Sequence, residues 1–259
     1  MSDQQKYVNK LKGKTVLIIG GSSGIGFGVA EASLEYGARV IISSSSPERL
    51  AKAVDRLKAA YSSLSSRISS HPCDLGNEDT IESNISALFQ AVGEVHHVVY
   101  SAGDSITPIP TPDLTLADLR KSALIREHGA LLAAKEAAKY LPNTPESSFT
   151  ITSGSSGEKP FAGWVYGSFV SGGHASMARG LALDLKPIRF NVIAPGVVDT
   201  EMWSMPEEQK QAIFRAMEMK TTTGRVAKVE DIAEAYLYVM RDTNVTGSLI
   251  STNGGSLLM

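Results

Sequence analysis

The sequence that decides the fold is Lys14-Thr-Val-Leu-Ile-Ile-Gly20-Gly-Ser-Ser-Gly24-Ile-Gly26. It starts as an apolar, β-branched run, continues through a glycine-rich turn and ends in residues that suit a helix. A glycine turn in this place lets the backbone come close to a phosphate group, which the free N–H groups of the following helix then bind. The stretch therefore predicts a strand–turn–helix unit with an anion site at its turn.

Short β-rich runs alternate with longer helical runs along the rest of the chain. Strands are predicted at Thr15–Gly20, Arg39–Ser43, Arg67–Cys73, His97–Tyr100, Ser148–Thr152, Ile188–Ile193 and Ser248–Thr252. Helices are predicted at Ile25–Tyr36, Pro47–Tyr61, Asn77–Val92, Leu114–Tyr140, Trp164–Leu185 and Val229–Met240. This alternation predicts an α/β fold, a single Rossmann-type domain over residues 1–259 with a doubly wound parallel sheet of about seven strands.

Composition excludes several classes of partner. The formal net charge is −2 and 20% of the residues are charged, so no basic excess points to nucleic acid or to an anionic membrane. The single cysteine rules out an internal disulfide and fits a reducing compartment. Residues 1–12 lack the apolar run of a signal peptide, and no segment approaches the ~20 apolar residues of a membrane span. We therefore expect a cytoplasmic protein. We also expect that it binds no metal, because no cluster of Cys, His or carboxylate residues has metal-ligand spacing.

Four later motifs follow predicted strands. Cys73-Asp74-Leu75 follows the third strand, and Tyr100-Ser101-Ala102-Gly103 follows the fourth. Pro195-Gly196-Val-Val198-Asp-Thr200 follows the sixth strand, and Asn253-Gly254-Gly255 follows the last. Together with the glycine turn, in this order and spacing, they resemble the short-chain dehydrogenase/reductase family from about Gly13 to Met259.

The resemblance implies a dinucleotide site. In the family the aspartate after the third strand contacts adenine, and the Pro-Gly-x-x-x-Thr motif holds the nicotinamide amide. The positions that match are Gly20, Ser22, Ser23, Gly24, Ile25, Gly26, Ser43, Ser44, Ser45, Arg49, Asp74, Leu75, Ser101, Ala102, Gly103, Pro195, Gly196, Val198 and Thr200.

The end of the second strand decides between NAD and NADP. An acidic residue there binds the ribose 2′-OH and repels a 2′-phosphate. This chain has serines at 43–46 and Arg49 nearby, and hydroxyls at the start of a helix can accept a phosphate. The arginines by which the family usually selects NADP are absent, because Ser23 and Ser45 stand in their places. We expect NADP(H); the alternative is a polar loop without selectivity.

The proton-transfer residues of the family are incomplete. The family uses Asn, Ser, Tyr and Lys, and the tyrosine donates a proton to a carbonyl oxygen as hydride arrives. Ser153 matches the serine, with Ser155 as the neighbour if the alignment shifts. Counting forward from Ser153 puts the tyrosine at Tyr166 and the lysine place at Val170.

A second alignment of the same helix disagrees. Counting back from the helix end at residues 179–185 puts the tyrosine place at Gly167 and the lysine place at Ser171. The lysine is lost in both alignments, and Tyr166 faces the pocket in only one of them. The resemblance therefore implies a cofactor site without the usual proton relay.

Arg126 and Trp164 are the other candidates for the active site. Arg126 replaces the asparagine of the family, and an arginine orients or stabilises negative charge but does not act as an acid at neutral pH. Trp164 suits the wall of an apolar pocket. Each is equally compatible with ordinary packing or a surface ion pair, and His128 and His174, on long helices, are interpreted as structural.

The lost lysine decides which reactions remain. Reduction of a carbonyl needs a proton on oxygen, whereas reduction of an iminium ion needs hydride alone, and a pericyclic step needs only a shaped pocket. The chain resembles a group of fungal members of the family, some of them in alkaloid biosynthesis, that act as NADPH-dependent iminium reductases or as Diels–Alder cyclases. We therefore expect an NADP(H)-dependent reductase of an apolar substrate, with a cofactor-bound cyclase or isomerase as the alternative and a non-enzymatic relative as the third.

Two further expectations concern the substrate and the assembly. The methionine-rich segment Glu201–Met219 is interpreted as a helical lid, and it suggests an apolar substrate of some size. The resemblance also implies a homodimer or homotetramer, because the family commonly associates through the two long helices that correspond to 114–140 and 164–185.

Overall fold

A computed structural model describes residues 6–104 and 108–259 of the chain. Residues 1–5, and residues 105–107 within the predicted loop that follows the fourth strand, lie outside this part. All seven strands are parallel and pair in the order β3-β2-β1-β4-β5-β6-β7. Their bounds are β1 Thr15–Ile19, β2 Arg39–Ser44, β3 Ile68–Pro72, β4 His97–Tyr100, β5 Ser148–Thr152, β6 Arg189–Pro195 and β7 Leu249–Thr252.

Eight α-helices flank the sheet in the described residues. Their bounds are α1 Gly24–Glu35, α2 Pro47–Ala60, α3 Ile81–Val92, α4 Leu116–Ala123, α5 Ala130–Ala137, α6 Val165–Asp184, α7 Glu207–Glu218 and α8 Val229–Arg241. Helices α3, α5 and α6 contribute to the hydrophobic cluster on one face of the sheet. Helices α1, α2 and α8 contribute to the cluster on the other face. The predicted single Rossmann fold with a doubly wound seven-stranded sheet is confirmed.

The long helix predicted over 114–140 contains an interruption. Between α4 and α5 the chain forms a π-helical turn, Leu124–Gly129. The Tyr100 hydroxyl, at the end of β4, donates a hydrogen bond of 2.5 Å to the Ile125 carbonyl, which in an α-helix would accept from the Gly129 N–H. A Cβ atom at Gly129 would lie 2.5 Å from the same hydroxyl, so only glycine lets the tyrosine approach. The inserted hydroxyl explains why the helix widens at this point.

The helix in the segment that the sequence analysis interprets as a lid starts later than predicted. Residues 201–205 form turns, and α7 begins after Pro206. The Trp203 indole donates to the Val198 carbonyl at 2.9 Å and packs edge-on against Phe214 at 5.4 Å. Lys210 forms an ion pair with Asp199 at 2.5 Å. The start of α7 is therefore attached to the segment that follows β6.

No helix among the described residues is long and apolar enough to cross a membrane. The one cysteine, Cys73, is buried beyond the end of β3, and burial raises the pKa of its thiol to about 11. It behaves as a small hydrophobic side chain.

Candidate cofactor and active site

The turn after β1 packs directly on the turn after β4. A Cβ atom at Gly20 would lie 2.4 Å from the Ala102 nitrogen, and one at Gly26 would lie 2.3 Å from the Gly20 oxygen. These distances admit no side chain, so both glycines are required for the turn and for the approach of α1 to it. The carboxyl ends of β1 and β4 are thereby brought together in the middle of the sheet, where open α/β sheets bind their ligands.

The start of α1 fits a phosphate group. Its N-cap residue, Ser23, makes no capping hydrogen bond through its side chain, and its first turn contains no acidic residue. Gly24 has φ +53°, and its Cβ position would meet only the Thr200 side chain at 3.4 Å and, farther away, a carboxylate oxygen of Glu201. Exposed N–H groups at a helix N-terminus beside a bare glycine surface favour a bound anion. The main-chain cradle at 22–26 would therefore hold the diphosphate of a dinucleotide, with Thr200 beside it.

Glu201 already places a negative charge in this cradle. Its Oε2 atom accepts a hydrogen bond of 2.9 Å from the Gly24 N–H, and its Oε1 atom lies 3.7 Å from an Arg56 nitrogen. The carboxylate thus caps α1 in place of the Ser23 side chain. This residue is not identifiable from a sequence motif, because the contact joins positions 177 apart; the only signal is an acidic residue directly after Thr200.

The serines after β2 fall into two groups. Ser43 is completely buried, its hydroxyl has no partner, and its carbonyl accepts from the N–H groups of Gly20 and Gly21 at 2.8 and 3.1 Å. Ser45 is exposed and accepts from the Arg49 guanidinium at 3.2 Å, while Ser46 caps α2. Ser43 therefore supports the glycine turn, and the groups available to a ligand are those of Ser44, Ser45 and Arg49.

The predicted adenine-contacting residues lie at the end of β3. Asp74 is exposed, and its carboxylate accepts from the Gly76 N–H at 2.9 Å. The Leu75 side chain is buried in the core. The Ser101 N–H donates to the Ile19 carbonyl at 2.8 Å, so this part of the β4 turn continues the sheet before Ala102 meets Gly20.

The Pro-Gly-x-x-x-Thr segment continues from β6. Pro195 is its last strand residue, and a Cβ atom at Gly196 would lie 3.0 Å from the Asn253 Cα, so the last motif of the chain packs on this segment. Val198 is buried and forms an isolated bridge with Ala227. These contacts fix the chain that carries Thr200 to the edge of α1.

Arg126 lies in the π-helical turn and points at the backbone after β4. A Cβ atom at Gly103 would lie 2.6 Å from the guanidinium carbon, and one guanidinium nitrogen donates to the Asp104 carbonyl. Its Nε atom is buried without a partner, and among the described residues no carboxylate forms an ion pair with it. Burial lowers the pKa of the guanidinium, the nearby Asp104 opposing this effect. Arg126 is therefore a charged group, with N–H donors that have no partner in the described part of the chain, beside the turn that follows β4.

Trp164 occupies the space of a side chain at Gly167. A Cβ atom at Gly167 would lie 2.3 Å from the Trp164 Nε1 atom, and the indole stacks on Phe161 at 5.2 Å. Among the described residues no acceptor contacts Nε1. Trp164 also lines a narrow cleft between α4 and the start of α6.

Tyr166 turns its hydroxyl toward the interrupted helix. The hydroxyl donates a 2.5 Å hydrogen bond to Glu127, and burial followed by this bond raises the pKa of the phenol. A phenol with a raised pKa that is bonded to a carboxylate is a poor proton donor to a substrate. The segment with Ser171 instead packs against the turn after β5, where Ser171 Oγ lies 3.1 Å from Ser156 Oγ.

Ser153 lies at the end of β5 and is connected to Arg126 through a histidine. Its Oγ atom lies 3.1 Å from His174 Nδ1 and 3.3 Å from the Ser171 carbonyl oxygen. His174 Nε2 lies 2.9 Å from the Arg126 carbonyl oxygen. From the sequence alone His174 is interpreted as structural; the signal for a place in this site is its position three residues after the lysine place of the second alignment. Among the described residues no His, Cys, Asp or Glu cluster suits a metal ion.

Comparison with known proteins defines the class. The SDR-like Rossmann domain matches residues 7–259. The short-chain dehydrogenase/reductase fsr5 of Gibberella fujikuroi is 42% identical over the whole length of both chains, and malC of Malbranchea aurantiaca is 39% identical, also over both whole lengths. The structure of the MalC reductase/Diels-Alderase superposes with a TM-score of 0.92 at 39% identity, covering 98% of this chain and 100% of that one. A small-chain dehydrogenase in complex with NADPH superposes with a TM-score of 0.78 at 25% identity, covering 96% and 100%.

These matches show that the chain belongs to the short-chain dehydrogenase/reductase family and is an enzyme of that oxidoreductase family. Membership of this family and the main-chain cradle at 22–26 both indicate a nicotinamide dinucleotide as the cofactor.

Replacing Glu201 by glutamine tests whether its charge competes with the cofactor. Glutamine keeps an acceptor for the Gly24 N–H but removes the negative charge, and one charge at a helix N-terminus contributes about 0.3–1 kcal/mol. We expect Glu201→Gln to bind NADPH about two- to fivefold more tightly in a calorimetric titration. The control is Glu207→Gln in the first turn of α7, which should leave affinity unchanged. Weaker binding by Glu201→Gln would show that the carboxylate assists the cofactor.

Proposed function

We propose that this protein is an NADP(H)-dependent reductase of an apolar, secondary-metabolite type of substrate, which accepts hydride as an iminium ion or another activated group. The observation that carries the proposal is the Trp164 indole, whose Nε1 atom fills the space of a side chain at Gly167. This geometry supports the alignment in which Gly167 stands at the tyrosine place and Ser171 at the lysine place. The remaining tyrosine, Tyr166, is bonded to Glu127.

The chemistry follows from which groups can transfer a proton. When bound, the nicotinamide supplies a hydride. An iminium carbon that receives a hydride gives a neutral amine, so Trp164, Arg126 and Ser153 need only bind and orient the acceptor. An indole N–H and a guanidinium donate hydrogen bonds without releasing protons at neutral pH. This set of side chains suits orientation rather than acid catalysis.

Arg126 further limits the substrate. Its charge would repel a bare cation, whereas a guanidinium placed against Gly103 suits an oxygen atom. We therefore propose that the substrate carries a carbonyl or similar oxygen close to the reacting carbon.

A cofactor-bound cyclase without net redox is the second candidate. One observation favours it: the relative that is 39% identical and superposes with a TM-score of 0.92 is described as both a reductase and a Diels-Alderase. Hydrogen bonds from Arg126 and Trp164 to a carbonyl would also withdraw electrons from a conjugated partner in a cycloaddition. Consumption of NADPH together with product formation is expected for the reductase and not for the cyclase, so this measurement separates the two candidates. For both candidates we propose a cytoplasmic location.

The exposed side chains at the end of β2 support NADP(H) over NAD(H). An acidic residue is absent there, and Arg49 and the Ser45 hydroxyl are hydrogen-bonded to each other at the protein surface. Two donors of this kind can bind a 2′-phosphate.

Arg49→Ala tests the choice of cofactor. We expect the wild-type protein to bind NADPH more tightly than NADH, and the variant to lose about tenfold in NADPH affinity, because one charge-assisted hydrogen bond at the surface is lost. Affinity for NADH should not change. Lys58→Ala, at an exposed position in the last turn of α2, is the control, and calorimetry is the measurement. Equal affinity of the wild-type protein for the two cofactors would contradict the prediction.

Tyr166→Phe and Arg126→Ala test the proposed site together. A working general acid contributes ~10²–10⁴ in rate, so Tyr166→Phe should slow NADPH oxidation by much less than that. Arg126→Ala should cost about 10²-fold, the size expected when a substrate is poorly oriented. A suitable probe is the cyclic imine 6,7-dimethoxy-1-methyl-3,4-dihydroisoquinoline, which carries oxygen substituents, and Arg120→Ala on α4 is the control. The opposite ranking would restore Tyr166 as an acid and carbonyl reduction as the function.

We also propose that the chain forms a homodimer or homotetramer through α4, α5 and α6. Large apolar side chains on these helices are exposed: Leu116 on α4, Leu131 on α5, and Phe169 and Leu183 on α6, the last two 64% and 74% exposed. A second copy of the same helices would cover them. Light scattering should give a multiple of 27.6 kDa, and Phe169→Glu should lower the mass. A wild-type particle of 27.6 kDa at micromolar concentration would contradict this assembly.

A further inference from the structure

His174 is a buried residue on α6 that touches two parts of the candidate site. Its side chain is only 3% exposed, and both ring nitrogens have partners. Nε2 lies 2.9 Å from the Arg126 carbonyl oxygen, and Nδ1 lies 3.1 Å from Ser153 Oγ. The ring therefore links the end of β5 to the π-helical turn.

The chemistry of these two partners determines which nitrogen carries the proton. A carbonyl oxygen only accepts hydrogen bonds, so Nε2 must carry a hydrogen and donate it to Arg126. Burial lowers the pKa of His174 and outweighs the hydrogen bond to the Arg126 carbonyl, which raises it; the charge of Arg126 lowers the pKa further, and that of Glu127 raises it by less. The ring is therefore neutral at neutral pH, and Nδ1 has a lone pair that accepts from the Ser153 hydroxyl.

Ser153 has one hydroxyl hydrogen and two acceptors within the protein. Besides His174 Nδ1, the Ser171 carbonyl oxygen lies 3.3 Å from Oγ. The contact to His174 Nδ1, at 3.1 Å, is the shorter of the two and holds the hydroxyl hydrogen, so the remaining positions around Oγ are lone pairs. We infer that His174 is a positioning residue that turns Ser153 into a hydrogen-bond acceptor, and that Ser153 thereby selects a substrate with an N–H group. The inference rests on the proposed function for the presence of a substrate at Ser153.

The consequence is a site that offers hydrogen-bond donors on one side and a hydrogen-bond acceptor on the other. Arg126 and Trp164 present donors, which suit an oxygen atom of the substrate, whereas Ser153 presents an acceptor, which suits an amide N–H or a protonated nitrogen. A ketone oxygen at Ser153 would face lone pairs and would be bound less well. This polarity is the reverse of a serine that donates to a carbonyl.

The tautomer of His174 can be measured without any substrate. In nitrogen-15 spectra of the NADPH-loaded protein, we expect a protonated Nε2 and an unprotonated Nδ1 for this ring at neutral pH. The chain has five histidines, so His174→Gln assigns the signal, and Ser153→Ala should move the Nδ1 resonance alone. The matched control, His128→Gln, should leave it in place. A hydrogen on Nδ1 at neutral pH would overturn the inference.

The selectivity is tested with three small probes of similar shape: 2-pyrrolidinone, its N-methyl derivative and cyclopentanone. We expect the wild-type protein to bind the N–H lactam at least about fivefold more tightly than the other two, the size of one hydrogen bond. Binding is followed by the shift of the His174 resonance, or of neighbouring amide resonances in the variants. Equal binding of the three probes, or binding of none, would overturn the inference.

Two substitutions at one position separate a positioning role from a structural one. His174→Asn can retain an acceptor near the Nδ1 position and should keep the preference for the lactam. His174→Gln retains a donor toward Arg126 but no acceptor for Ser153, so the preference should fall to about one. If both variants lose the preference equally, the role of His174 is structural and the inference fails. Failure of NADPH oxidation alone would count against the proposed function and leave the lactam preference standing.

Discussion

The hydrogen bond from the Tyr100 hydroxyl to the Ile125 carbonyl is the interaction on which the site depends. It places a strand-end tyrosine inside the helix that follows, and the helix responds with a π-helical turn at Leu124–Gly129. That turn directs the Arg126 guanidinium onto Gly103 and its carbonyl onto His174. In an uninterrupted α-helix, the residues beyond the insertion would be rotated about the helix axis by about 100° relative to their present positions, a little over a quarter of a turn. One contact between β4 and the helix therefore sets the position of the guanidinium that faces the turn after β4.

Sequence alone predicted the sheet because its signals are local. Each strand is a short apolar run beside a turn, and the alternation with helices permits few arrangements other than a parallel doubly wound sheet. The π-helical turn escaped prediction because the hydroxyl that causes it lies 25 residues away from its partner. The start of α7 was placed too early because the residues at 201–205 suit a helix in composition, whereas Pro206 and the Trp203 contact with Val198 hold them in turns.

Some residues of the candidate site could likewise be predicted from local sequence, and others could not. The glycines at 20 and 26 could be identified from spacing, since their requirement is set by backbone geometry that follows any turn of this type. Glu201 and His174 could not, because their contacts span 177 and 48 residues and follow no common motif. The place of the lost tyrosine was ambiguous because two counts along α6 differ by one residue. The indole of Trp164 beside Gly167 favours the second count, by a steric argument that requires coordinates.

A positive charge lies beside the turn that follows β4, although neither alignment of α6 puts a lysine at the lysine position of the family. Arg126 comes from a different helix, and its guanidinium is buried against the main chain without a carboxylate partner in the described residues. Burial lowers its pKa, but a guanidinium stays protonated inside proteins, so the role that we propose for it is to orient a substrate without exchanging protons. A lysine has a pKa that its surroundings shift readily, which is what a proton relay requires. In the proposed site, Arg126 therefore supplies electrostatic attraction from another helix, and the proton transfer that a lysine would support is absent. A reaction that needs a polarised oxygen but no proton on it is the chemistry that we propose for this site.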